Sequence, residues 1–247
     1  MRTGPNGDGP PALEREFDDA QESSPGEHPD PARWLVDRAR RALRLEHSPT
    51  AEQIDAIVMQ LCWSISAVCA SAGTGKTDVV TALFDECNEL LGRHVAFVVP
   101  THSAKKPLAK ALHVEEKAIY TIQGLTFMGG TKRKGIRTLL EGLIDRRHSP
   151  EPRKPRVHLV IDESCMVDSE NLGALCEVLT RADYCDRLDI SLSFLGDPQQ
   201  LPPVGPGEPL HDMIAAGSIP VAKLTTVFRT QDPHLRILSG MYQSDEC

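Results

Sequence analysis

The sequence predicts an α/β protein with a mostly parallel sheet and helices on both faces. Three observations lead to that expectation. Short apolar runs bounded by turn residues recur at 65–69, 95–99, 157–161, 191–195 and 222–225, as in strands buried on both sides. Amphipathic stretches at 76–91, 103–112, 169–180 and 208–216 fall between them. One strand-to-helix junction is the glycine-rich turn ASAGTGKT.

The chain opens with residues 1–32, rich in Pro and Gly, where Asp8, Glu14, Glu16, Asp18, Asp19, Glu22, Glu27 and Asp30 outnumber Arg2 and Arg15. Such a segment buries too little apolar surface to offset the entropy of ordering, so a disordered acidic tail is expected. Residues 33–247 are expected to form one domain. Spacing at 34–45 predicts a short helix laid on that domain. Thr50 then caps a helix over TAEQIDAIVMQL, and Thr50 with Gln53 has the spacing of a capping box.

Strand 65–69 runs into a turn that fits the phosphate-loop pattern G-x-x-x-x-G-K-[ST], except that Ala70 stands at the first glycine. That glycine mainly begins the turn, so alanine serves there while φ stays negative. Gly73 and Gly75 allow the chain to curl. The N–H groups of Ala72, Gly73, Thr74, Gly75, Lys76 and Thr77 then form the expected phosphate cradle at a helix start. Lys76 would reach the β and γ phosphates, and the Thr77 hydroxyl would ligate Mg²⁺.

The strand at 157–161 ends in Asp162 and Glu163. An acid at the end of a core strand beside a phosphate loop holds the Mg²⁺ water shell, the role expected of Asp162, while Glu163 would polarise the attacking water as general base. The pair points to hydrolysis rather than binding alone. The strand at 191–195 runs into LGDPQQLPPVGPGEPL, whose Gly196 and Asp197 place a turn at the carboxyl edge of the sheet. Gln200 there offers an amide to the γ-phosphate and the attacking water, and Pro202, Pro203 and Pro206 stiffen the rest of the loop.

Residues 124–156 interrupt the alternation. Lys132, Arg133, Lys134, Arg137, Arg146, Arg147, Arg153, Lys154 and Arg156 face Glu141, Asp145 and Glu151, so this insertion is basic in a chain of net charge −8. Residues 132–134 and 153–156 would hold nucleic-acid phosphates, or else form a solvated loop or a localisation signal. The overall acidity argues against a globally basic nucleic-acid surface. The seven cysteines form no C-x-x-C pair, which fits reduced intracellular thiols better than a disulfide framework or a zinc site. With no secretory signal and no apolar membrane span in the sequence, an intracellular location is expected, cytoplasm and nucleus not being distinguished.

The ordered series SPTAEQIDAI, ASAGTGKT, PTHSAKKPLAKAL, YTIQG, VIDESCMVD, LGDPQQLPPVGPGEPLHDMI and KLTTVFRT resembles the first motor domain of superfamily 1 helicases, nearest to their RecD-like and Dda-like branch. The likeness runs over about residues 48–232. It implies a RecA-like fold, ATP and Mg²⁺ as ligands, and single-stranded nucleic acid, DNA favoured, as partner, with 5′ to 3′ movement. By the same resemblance Gln53 would read the adenine edge, a use that competes with its capping box. Pro100, Thr101 and His102, with Thr121 and Gln123, would contact the strand backbone, and Arg229 would touch the γ-phosphate. Gln123 stands where the family usually has histidine, and Cys165 where it usually has serine.

Nothing after Arg229 resembles the family's second RecA-like domain. Weak ATPase without unwinding is therefore expected of this chain alone, with a second domain or chain as partner. Two other readings stay open: a regulatory or assembly subunit that keeps ATP as a structural ligand, and half of a viral-type RNA helicase.

Overall fold

A computed structural model describes residues 31–43, 48–71, 73–126, 154–180, 185–197 and 199–227. The acidic tail up to residue 30, most of the basic insertion (127–153), Ala72 and Arg229 lie outside the described residues.

One sheet contains β1 (Ile65–Ala70), β2 (His94–Val99), β3 (Tyr120–Thr121), β4 (Arg156–Ile161), β5 (Asp189–Gly196) and β6 (Val221–Leu224), in the order β3-β2-β4-β5-β1-β6. Every pairing is parallel. All six carboxyl ends therefore share one edge, and each motif loop leaves the sheet there. The sequence reading lacks β3, which aligns Tyr120 and Thr121 with Val98 and Val99; two residues are too few for an alternation to register.

The α-helices among the described residues are α1 (Pro31–Leu43), α2 (Ala51–Cys62), α3 (Ala82–Leu90), α4 (His102–Ala111), α5 (Ile122–Thr126), α6 (Ser169–Leu179) and α7 (Pro209–Ala215). They cover both faces. Ile57, Leu83, Phe84 and Leu108 bury against Val68, Val99, Val160 and Leu195 on one side. Ile122, Leu175, Leu179 and Leu210 bury against Ala67, Val98, Leu159 and Phe194 on the other. Neighbours such as Ala67 and Val68 go to opposite cores because successive strand side chains alternate.

Three expectations are corrected. The first helix starts at Pro31, inside the expected tail, because proline is preorganised for a first helical turn and Ala32 finds burial there. The helix expected at 76–91 begins as a wide π turn, Lys76–Thr81, in which the Gly75 carbonyl accepts from Val79 N at 3.0 Å and Val80 N at 3.1 Å. The ends of the basic segment belong to the fold: Gly124 is in α5, and Arg156 starts β4 with its Nε donating to Asp189 Oδ2 at 2.9 Å. Arg156 thus lies at the amino edge of the sheet, opposite the motif loops.

Candidate functional site

Ala70 is the last residue of β1, paired with Leu224, and among the described non-glycine residues only His113 and Glu163 have positive φ. Alanine here keeps an extended backbone and costs the turn nothing. Gly73 and Gly75, at φ 87° and 78°, make the left-handed steps that curl the loop. Thr74 is buried, its hydroxyl donating to the Ser71 carbonyl at 2.8 Å. The Thr81 hydroxyl closes the wide turn onto the Lys76 carbonyl at 3.0 Å, and Thr77 sits half-buried in that turn.

The capping box expected at α2 is present: Gln53 N–H donates to Thr50 Oγ1 at 3.2 Å, and Thr50 N–H donates to Gln53 Oε1 at 3.0 Å. The Gln53 amide also donates from Nε2 to the Thr74 carbonyl at 2.9 Å. One N–H and one acceptor lone pair of the amide remain unassigned, enough for the edge of a base. This glutamine is buried, 3% exposed. Gly75 is what makes room for it, since a Cβ there would stand 2.6 Å from Gln53 Nε2.

Lys76 Nζ lies 2.9 Å from Asp162 Oδ1 and 3.7 Å from Glu163 Oε1. Burial alone would pull the ammonium down, but Asp162 and Glu163 together outweigh it and hold Lys76 above the usual lysine range. These groups leave β1 and β4, with β5 between them, a separation of roughly 10 Å that a lysine side chain can cross. Gly196, the last residue of β5, lets the turn after the acids pack close: a Cβ there would come 2.6 Å from Cys165 Sγ and 3.0 Å from Ser164 Oγ. The Ser164 hydroxyl fastens the turn to the Leu195 carbonyl at 2.8 Å. Glu163 adopts φ 55°, a left-handed backbone of the kind held where function requires it.

Among the described residues no three His, Cys, Asp or Glu side chains cluster as in a metal cage. Magnesium does not need one, since it keeps most of its waters and takes one or two protein oxygens beside phosphates. Glu163 Oε2 is buried with no hydrogen-bond partner in the structure. Two adjacent carboxylates, with Asp162 Oδ1 and Glu163 Oε2 both buried and without a hydrogen bond, fit a hydrated Mg²⁺ beside a triphosphate.

Asp197, used in the sequence reading only as a turn marker, is buried and holds the next turn through Gln199 N–H to Oδ1 at 3.0 Å. Gln200 N–H donates to the Asp197 carbonyl at 3.0 Å, and the Gln200 side chain is exposed at the same edge. The loop then docks on the start of α6. Gly205 lies so close to the Asp168 carboxylate, and Gly207 to Ser169, that neither position has room for a side chain. Ser169 N–H donates to the Pro206 carbonyl at 3.0 Å. The turn carrying the acids and the loop carrying Gln200 are thereby one mechanical unit.

Sequence reasoning gave Cys165 only the part of a small residue. In the structure burial, with Cys69, Asp197 and Glu163 adding to it and Lys76 opposing, pushes its thiol up to about 12. A neutral thiol at the junction of both turns had no signal beyond its place after the acids.

Pro100, Thr101 and His102 follow β2, and Thr121 and Gln123 lie at the end of β3, so both groups sit beside each other at the carboxyl edge. His102 and Gln123 are exposed. Thr121 is buried and its hydroxyl accepts from Gly124 N–H at 3.0 Å, a capping task for α5. Along the edge the nucleotide-type loops of β4, β5 and β1 are thus grouped apart from those of β2 and β3. Among the described residues no helix is long and apolar enough to cross a membrane.

Residues 49–246 match the family model described as an AAA domain. An uncharacterized protein of Methanocaldococcus jannaschii, MJ1519, is 27% identical over 199 residues, covering 77% of this chain and 16% of its own. Among solved structures, Bacteroides sp Pif1 in complex with ADP-AlF4 is 18% identical with TM-score 0.50, covering 82% of this chain and 48% of that one. Pif1 helicase from Candida albicans is 22% identical with TM-score 0.51, covering 80% of this chain and 44% of that one. These structures share the RecA-like P-loop fold with this chain, which spans about half their length.

Proposed function

Because the chain belongs to the AAA domain family, we propose that it is an ATP-hydrolysing motor domain of a superfamily 1 helicase, working on single-stranded nucleic acid with DNA favoured. The observation that carries this reading is the meeting of Lys76 with Asp162 and Glu163 beside a glycine-curled loop. On binding, the Lys76 ammonium exchanges carboxylates for the β and γ phosphates. The loop N–H groups from Ala72 to Thr77 orient the triphosphate, and Gln53 takes the adenine edge with its spare donor and acceptor. Asp162 and Thr77 would hold Mg²⁺, which when bound would supply charge neutralisation at the phosphates. Glu163 accepts a proton from the attacking water, Gln200 orients that water, and Arg229 stabilises charge on the γ-phosphate.

The strand lies across the loops of Pro100–His102 and Thr121–Gln123. One similar structure is Bacteroides Pif1 in complex with ADP-AlF3 and ssDNA, and another concerns unwinding at forked dsDNA by Pif1 helicases; both favour DNA over RNA. The RecD-like or Dda-like branch and 5′ to 3′ polarity belong to this proposal. The residues that grip the nucleotide form one motor domain, and movement along a strand closes two such domains on one nucleotide, so a single domain of this kind hydrolyses ATP slowly and does not separate strands. ATPase assays with single-stranded DNA, single-stranded RNA and neither test the reading. DNA stimulation above RNA supports it, and turnover absent under all three conditions overturns it.

A further inference from the structure

The first turn of α2 does more than hold the phosphate loop through Gln53. Its neighbour Glu52 accepts from Thr225 N–H at 2.8 Å, from the Thr225 hydroxyl at 2.6 Å and from Thr226 N–H at 3.2 Å. The register explains why a carboxylate is needed there. Among the described residues β6 is an edge strand paired only with β1, and its last rung joins Leu224 to Ala70. Beyond Ala70 the β1 chain turns away into the phosphate loop and no longer offers strand carbonyls. The N–H groups of Thr225 and Thr226 would lose their ladder at that point; Glu52 supplies the acceptors instead. The Thr225 hydroxyl, opposed by burial and joined by the Thr225 and Thr226 N–H groups, holds the Glu52 carboxyl below its usual range.

We propose that Glu52 is a positioning residue: with Gln53 beside it on the phosphate loop, it ties the chain leaving β6 to the nucleotide-binding turn, so that turnover depends on it while nucleotide affinity does not. This rests on the proposed hydrolysis, because the chain leaving Thr226 leads on to Arg229. The Gln53 contact to Thr74 does not involve the Glu52 carboxylate, so ground-state binding persists without it.

Glu52 also stands in the first turn of α2, where any negative charge is favourable. Two variants separate these roles. Glu52→Asp keeps the charge but withdraws the carboxylate by one methylene; Thr225→Val removes a donor without touching the helix. Steady-state ATPase of the full chain is expected to show kcat lowered about fivefold or more in Glu52→Asp and less in Thr225→Val, with KM within about twofold. Faster hydrogen exchange at the Thr225 and Thr226 amides should accompany the loss. Unchanged kcat in both variants, or a rise in KM matching the fall in kcat, overturns the assignment. A wild-type chain without turnover overturns the hydrolysis reading itself, and this inference with it.

Discussion

Lys76 and Asp162, delivered by strands that are not neighbours in the sheet, meet at 2.9 Å in a largely buried ion pair. The contact, with Glu163 beside it, outweighs the burial that disfavours the charge and holds Lys76 above the usual lysine range. Lys76→Met leaves Asp162 without its counter-charge. Loss of one partner from a buried pair costs about 3 kcal/mol, so the variant should unfold at clearly lower urea. An unchanged midpoint would mean that the pair carries no such load.

Glu163 has an oxygen with nothing to bond and a backbone held left-handed. Glu163→Gln should keep nucleotide binding and lower hydrolysis by about 10²-fold or more, the range for a general base. Comparable turnover in the variant would remove Glu163 from that role.

Gly205 has the Asp168 carboxylate where a Cβ would go. Gly205→Ala should therefore cost about 1–3 kcal/mol and lower kcat by shifting the loop of Gln200. Thermal denaturation and steady-state kinetics on the same preparation check both, and a variant identical to wild type in each would show that the loop does not depend on this contact.

The pH dependence of stability combines a buried histidine and a half-buried carboxyl of opposite sign. His158, against Phe84 and bonded to Ser193 Oγ at 2.7 Å, is held down to about 3 by burial and then by Arg93. Below its ordinary 6.5 the unfolded chain takes a proton that the folded chain refuses, so stability is lost as pH falls from 6.5 towards 3. Burial, then Glu89 and Glu86, raises the Asp85 carboxyl from 3.8 to about 6, so between those values the folded chain holds the proton and stability is gained as pH falls. The two offset each other in that window. Asp85→Asn should expose the histidine, with stability falling on acidification more steeply than wild type by up to about 1.4 kcal/mol per pH unit. Urea titrations at several pH values decide it, and equal slopes would contradict the assignment.

The sheet and the nucleotide-type loops were legible because they rest on local signals. Apolar strands, Gly73 and Gly75 before Lys76, and Asp162 with Glu163 at a strand end each announce themselves within a few residues. The Thr50–Gln53 capping box was equally local, but the bond from Gln53 to Thr74 was not, because it joins segments that only the fold brings together. The same holds for Glu52 with Thr225, Gly205 with Asp168 and Gly196 with Cys165. Arg156 was misread because a basic run has no direction in sequence, whereas its place at the start of β4 sends it to the far edge.

Titration of ATP with Mg²⁺ into the wild-type chain and into Lys76→Met, followed by calorimetry, bears most directly on the site. Saturable one-to-one binding by the wild type, lost in the variant, is the predicted result. No heat with the wild type, or equal binding by both, would contradict it.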